Sequence, residues 1–138
     1  MPGYSSTPLV TKLGIKEGFR VGFVNAPRGF KKELGRLPPN VKILVADLPE
    51  PLDLIICFVD KERALETSFA LLAKKLAANG MLWIAWPKKS SKVPTDLSFN
   101  NVQRIGLDAG LVDVKICAVN EIWSGLKFVY RLKDRKMR

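Results

Sequence analysis

Apolar and polar positions along the chain fall into short, dense apolar runs separated by proline- and glycine-rich breaks. Met81-Leu-Trp-Ile-Ala-Trp86 is apolar at every position. Such a run predicts a strand buried on both faces, in the interior of a parallel sheet. Pro87 stops it, because proline cannot donate to a ladder. Arg20 to Asn25, Val41 to Ala46 and Leu52 to Val59 read as three further strands, the last almost wholly apolar and therefore central. Leu65, Phe69, Leu72 and Leu76 recur at helical spacing and predict a helix from Lys61 to Ala78, closed by Asn79-Gly80. Asp60 reads as its cap.

Shorter helices are expected elsewhere. Ser6 or Thr7 caps the first, with Pro8 in its opening position, and it runs to about Lys12 before Gly14 ends it. Phe30 to Leu34 makes another, terminated by Gly35. A third, capped by Asp96, runs from about Leu97 to Ala109. Val112 to Val119 is strand-like, Trp123-Ser-Gly125 reads as a tight turn, and Leu126 to Leu132 closes the pattern as an antiparallel strand. Strands alternating with helices imply right-handed crossovers. The fold class is therefore α/β. One domain, residues 1–138, is expected to hold a Rossmann-like, mostly parallel sheet with helices on both faces and a C-terminal antiparallel hairpin. Residues 133–138 read as a mobile basic tail.

Composition changes this picture mainly through charge. With 138 residues the chain can bury a sizeable core. Its 23 basic residues against 13 acidic give +10, which favours polyanions as partners; a solvated basic surface is the alternative. There is no histidine, so Ser-His and Cys-His nucleophile pairs and histidine metal sites are excluded. Cys57 and Cys117 lie in separate apolar runs without metal spacing, and read as reduced core thiols of a cytoplasmic protein. No leader segment and no membrane span are expected.

Element order from Arg20 to Leu132 resembles the class I S-adenosylmethionine-dependent methyltransferases, with that family's third strand missing. More narrowly, Trp86-Pro-Lys-Lys, Val93-Pro-Thr-Asp96 and Trp123-Ser-Gly-Leu126 resemble a family of short bacterial proteins. That family is described only as a domain of unknown function with a shortened methyltransferase-like fold. The resemblance implies a Rossmann-like sheet and no particular activity. The methyltransferase family carries an acid and a glycine-rich turn after its first strand. Here Phe23-Val-Asn-Ala-Pro-Arg-Gly29 stands in that place, and Pro27 removes an N–H. Asp47 follows the second strand, where an acid would bind ribose hydroxyls; a turn aspartate is the alternative. Val59-Asp60-Lys61 stands where amino-methylating enzymes carry an Asn/Asp-Pro-Pro-aromatic motif.

Ligands of open α/β sheets sit at the carboxyl ends of the strands. Lys88, Lys89 and Lys92 crowd the loop after Trp86 and suggest an anion-binding loop, with a solvated loop as the alternative. Trp86 could form the wall of a crevice whose floor is Asn25, Pro27 and Arg28, beside Asp47. Trp83, three residues earlier, faces the other way and belongs to the core. Asp96 and Asn100 could contact a ligand, and Glu121, Trp123 and Ser124 are explained by turn chemistry. The leading expectation is a non-catalytic domain that binds an anionic small molecule or partner protein there, without a cofactor. One alternative is a divergent S-adenosylmethionine-dependent methyltransferase, or another nucleotide-using enzyme. A second is a nucleic-acid-binding protein using the basic surface.

Overall fold

A computed structural model of the chain describes residues 7–45 and 48–135. One six-stranded sheet organises it. The strands are β1 (Arg20–Val24), β2 (Lys42–Leu44), β3 (Leu52–Phe58), β4 (Leu76–Pro87), β5 (Leu111–Ala118) and β6 (Trp123–Tyr130), in the order β2-β1-β3-β4-β6-β5. β2, β1, β3 and β4 run parallel, and β6 pairs antiparallel with both β4 and β5. The run Met81 to Trp86 is thus interior, as its double-sided apolar pattern predicts. β3 lies between it and β1, so Trp86 and Asn25 end strands that are not neighbours.

Alternation splits the core in two. Val21, Phe23, Ile56, Phe58 and Trp83 pack on the face covered by two short helices, α1 (Leu9–Leu13) and α2 (Phe30–Leu34). Ile55, Cys57, Leu82, Ile84 and Trp86 pack on the face covered by α3 (Glu62–Ala73) and α4 (Phe99–Asp108). Trp83 is fixed by its indole N–H, which donates to the Leu13 carbonyl at 2.8 Å and so ties α1 to the sheet. On the other face Gly106 lets α4 approach β6. A Cβ there would lie 2.0 Å from Phe128 Cε1.

Several boundaries differ from the expected ones. The helix expected to reach Ala78 ends at Ala73, and β4 begins at Leu76. Leu76 satisfies a helical stripe and a strand alike. Pairing decides, because Leu52 N–H donates to the Lys75 carbonyl at 2.8 Å and Leu76 is the Cα partner of Leu52. The Tyr130 hydroxyl donates to the Ala73 carbonyl, satisfying a helix-end acceptor. Trp123-Ser-Gly125 is not a turn but the start of β6. Asn120 makes the turn instead, its Oδ1 accepting from the N–H groups of Ile122 and Trp123 at 2.9 Å each.

The caps also move. Ser98, not Asp96, caps α4: its N–H donates to Asn101 Oδ1 at 2.7 Å and its hydroxyl accepts from Asn101 N–H. Asp96 Oδ1 accepts from Glu62 N–H at 2.7 Å, filling the role expected of Asp60. Asn101 Nδ2 and Arg104 then both reach the Glu62 carboxylate, so α3 and α4 share one polar junction. In α1, Pro8 is the capping position rather than the first helical one, with no side-chain cap; Ser6 lies outside the described residues. The described part of the basic tail forms a helical turn, α5 (Leu132–Arg135), where Arg135 Nε donates to the Tyr130 carbonyl at 3.0 Å. No helix of the described residues is long and apolar enough to cross a membrane.

Candidate functional site at the carboxyl ends of the parallel strands

The chain leaves β1 for β2 on one side and returns as β3 on the other. Such a reversal leaves a crevice at the carboxyl ends of the two strands. Here it is a cleft of about 250 Å³, lined by Asn25, Phe58, Val59, Asp60, Ala64 and Trp123.

Asn25 follows β1 with φ of 56°, in the left-handed region. Asparagine tolerates that region better than other residues with a Cβ. It therefore supplies a tight turn where a glycine would be usual. Gly29 turns the chain a second time, with φ of 84° and open space where a Cβ would stand. Pro27 and Arg28 lie between them, Pro27 half-buried and Arg28 exposed. The Pro27 carbonyl accepts from Phe30 N–H at 3.1 Å, closing the loop onto α2.

Asp60 follows β3, whose end is tied to β4 by Val59 N–H donating to the Ala85 carbonyl at 2.9 Å. With Asp96 capping α3, the Asp60 carboxylate has no hydrogen bond among the described residues, and neither has the Asn25 amide. The cleft thus presents a carboxylate acceptor and a neutral donor-acceptor pair. Only the Asp60 carbonyl is engaged, by the Thr95 hydroxyl at 2.6 Å.

Trp123 forms the remaining wall. It meets Phe58 edge-to-face at 5.1 Å, Phe58 meets Phe30 at 4.8 Å, and Phe30 meets Phe23 at 5.3 Å. This run of rings fixes the indole above the sheet, since edge-to-face pairs favour defined geometry.

The residues singled out from the sequence divide accordingly. Asn25 lines the cleft, and Pro27 and Arg28 belong to its adjoining loop. Asp47 lies outside the described residues. Trp86 is 5% exposed and packs in the α3–α4 core, so Trp123 takes the wall position expected of Trp86. Lys88, Lys89 and Lys92 do not line the cleft. Their loop is held to the β5–β6 turn by Lys88 N–H donating to the Ile122 carbonyl at 2.7 Å. Ser91 turns inward, its hydroxyl donating to the Lys88 carbonyl at 2.6 Å. Asp96 is spent on the α3 cap. Asp60 and Trp123 were legible only as a cap and a turn residue. For Asp60, its position directly after the strand ending at Val59 was the available signal.

The sequence matches no protein-family model and no curated protein. Solved structures do match. Magnesium protoporphyrin IX methyltransferase from Synechocystis PCC 6803, with bound S-adenosylmethionine, is 11% identical with a TM-score of 0.64, over 89% of this chain and 74% of that one. Precorrin-6y C5,15-methyltransferase from Geobacter metallireducens is 12% identical with a TM-score of 0.64, over 89% and 86%. Fibrillarin from Aeropyrum pernix, with natively bound S-adenosylmethionine, is 15% identical with a TM-score of 0.58, over 92% and 70%. At such identities the likeness is one of fold. The chain has a shortened class I methyltransferase-like fold, with β2 at one edge of the sheet.

Proposed function

We propose that this chain is a divergent methyltransferase-type protein that binds S-adenosylmethionine at the carboxyl ends of β1 and β3. The observation that supports this most is the cleft itself. It lies at the strand reversal and brings together an amide and a carboxylate without partners among the described residues, and an indole. A simple anion fits it less well, because its one ionisable lining group is the acid Asp60. A cofactor bearing a sulfonium and an ammonium complements that carboxylate. The left-handed turn at Asn25 and the open space at Gly29 let a ligand approach the backbone without a glycine-rich motif. Pockets that bury a whole drug-sized ligand measure roughly 300–1,000 Å³. At about 250 Å³ this cleft would enclose only part of such a cofactor.

When bound, the cofactor supplies an electrophilic methyl group. The chain's own residues, Asn25, Asp60 and Trp123, would orient it. The Asp60 carboxylate can accept the proton that a methylated nucleophile must lose. Calorimetric titration of the whole chain with S-adenosylmethionine tests the reading. A micromolar dissociation constant is expected, weakened at least tenfold in Asp60→Asn and in Trp123→Ala. No heat at millimolar cofactor would overturn it.

A further inference from the structure

On the α1 side of the sheet, β5 and β6 carry a row of lysines; Asp113 of β5 is turned to Gln103 of α4, and Glu33 is bound to Asn120 at the β5–β6 turn. Lys115 and Lys127 are direct cross-strand partners. Like charges placed opposite each other destabilise a sheet, so a pair kept there needs a counter-charge from elsewhere. Lys12 of α1 joins them: its Nζ donates to the Ala118 carbonyl at 2.9 Å, while Lys115 Nζ donates to the Lys12 carbonyl at 3.2 Å. An ammonium has three donors, so Lys12 and Lys115 each keep two free. Lys127 stands 5.8 Å from the centroid of the Trp83 ring. Burial, then the charges of Lys115 and Lys16, push its pKa below the ordinary lysine range. The ion pairs among the described residues join Arg104 to Glu62 and Asp108, on the other face of the sheet.

The row has a direction. Trp123, Gly125 and Lys127 alternate on one face of β6, so the half-exposed indole stands about 14 Å along the strand from the lysine pair. Between them lie Gly125, buried beneath Val119 and Trp83, and its half-buried partner Cys117. Ammonium groups on a sheet face, with an aromatic ring at one end, match a strand of phosphates with a base to stack. An acidic protein segment would use the charges and leave the ring idle.

We infer that Lys12, Lys16, Lys115 and Lys127, with Trp123 at their upper end, form a binding track for single-stranded nucleic acid. This goes beyond the cofactor reading; because Trp123 is also the wall of the cleft, the test is read on the lysines and in the absence of cofactor.

The test is fluorescence anisotropy of the whole chain with labelled single-stranded RNA across a salt series, without added cofactor. Each neutralised phosphate contributes roughly 0.7 to the slope of log affinity against log salt. Lys115→Gln with Lys127→Gln should lower the slope by about 1.4, weakening binding by about 25-fold at 0.1 M salt. Arg36→Gln with Lys42→Gln removes the same charge at and near the opposite edge of the sheet, and should change the slope by less than half as much. If the half-buried Lys127 variant fails to fold, Lys16→Gln with Lys115→Gln gives the same comparison at exposed positions. No RNA binding by the wild type, or equal losses in the two double variants, would overturn the inference. So would displacement of RNA by polyglutamate at matched charge, which would point to an acidic protein instead.

Discussion

The two faces of the sheet are built to different ends. On one, α3 and α4 lie across β3, β4 and β6, close-packed through Phe69, Val102 and Phe128, and joined at their N-termini by the Asp96–Glu62–Asn101 junction. On the other, α1 and α2 are five residues each, too short to hold themselves as helices. They stand only because Val10, Leu13, Phe30 and Leu34 are buried against the strands. They also leave the β5–β6 end bearing lysines, and the cleft opens above their aromatic run. Packing on the first face stabilises the sheet. The second face trades cover for polar groups that a ligand can reach.

Substitutions should separate the two. The largest loss is expected on the packed face. Phe128 is fully buried with its ring 5.1 Å from Phe69, so Phe128→Ala should cost about 3–5 kcal/mol in urea unfolding. Trp83→Phe, on the other face, leaves the Leu13 carbonyl without its donor and should cost about 1–3 kcal/mol. If that loss equals the Phe128 one, α1 is as firmly built in as α4 and the contrast fails.

A smaller effect follows from Cys57. Burial pushes its thiol from 9.0 up to about 12. Between these values the unfolded chain has lost the proton and the folded chain keeps it. Stability therefore falls as pH rises, by about 1.4 kcal/mol per unit from this group. The difference between wild type and Cys57→Ala, followed by urea unfolding, should be flat near pH 8 and show that slope as pH rises above 9.0 towards 11. A flat difference would mean that the thiol is reached by water. The smallest effect should have the opposite sign: Lys115→Gln should stabilise by about 0.5 kcal/mol, by relieving repulsion from Lys127. Loss of stability there would mean that the Lys115 ammonium matters more for its bond to the Lys12 carbonyl.

How much of this the sequence shows depends on the range of the interaction that decides each feature. Interior strands such as Leu52 to Phe58 are legible because they are apolar at all but one position, Asp53. The end of α3 is not, since Leu76 fits either element and its pairing with Leu52 lies across the sheet. Asp96 shows the same limit: its partner, the Glu62 N–H, is 34 residues away, whereas the Ser98–Asn101 cap sits in plain local spacing. In the cleft, Asn25 was readable from its place after β1. Trp86 reads from the sequence as the ring of the crevice and Trp123 as part of a turn, and the structure reverses the two. Trp86 falls on the α3–α4 face and is buried, while Trp123 reaches the cleft because the Asn120 turn sets where β6 begins.

The central claim is that a cofactor-type ligand sits between Asn25, Asp60 and Trp123. The three tryptophans give a direct readout, since each carries one indole N–H. In two-dimensional amide spectra recorded during titration with S-adenosylmethionine, the Trp123 indole, the Asn25 side-chain amide and the Val59 and Asp60 backbone signals should shift together. The buried indoles of Trp83 and Trp86 should stay in place. Unmoved spectra at millimolar cofactor, or shifts centred on residues 88–92 with Trp123 unmoved, would contradict the claim.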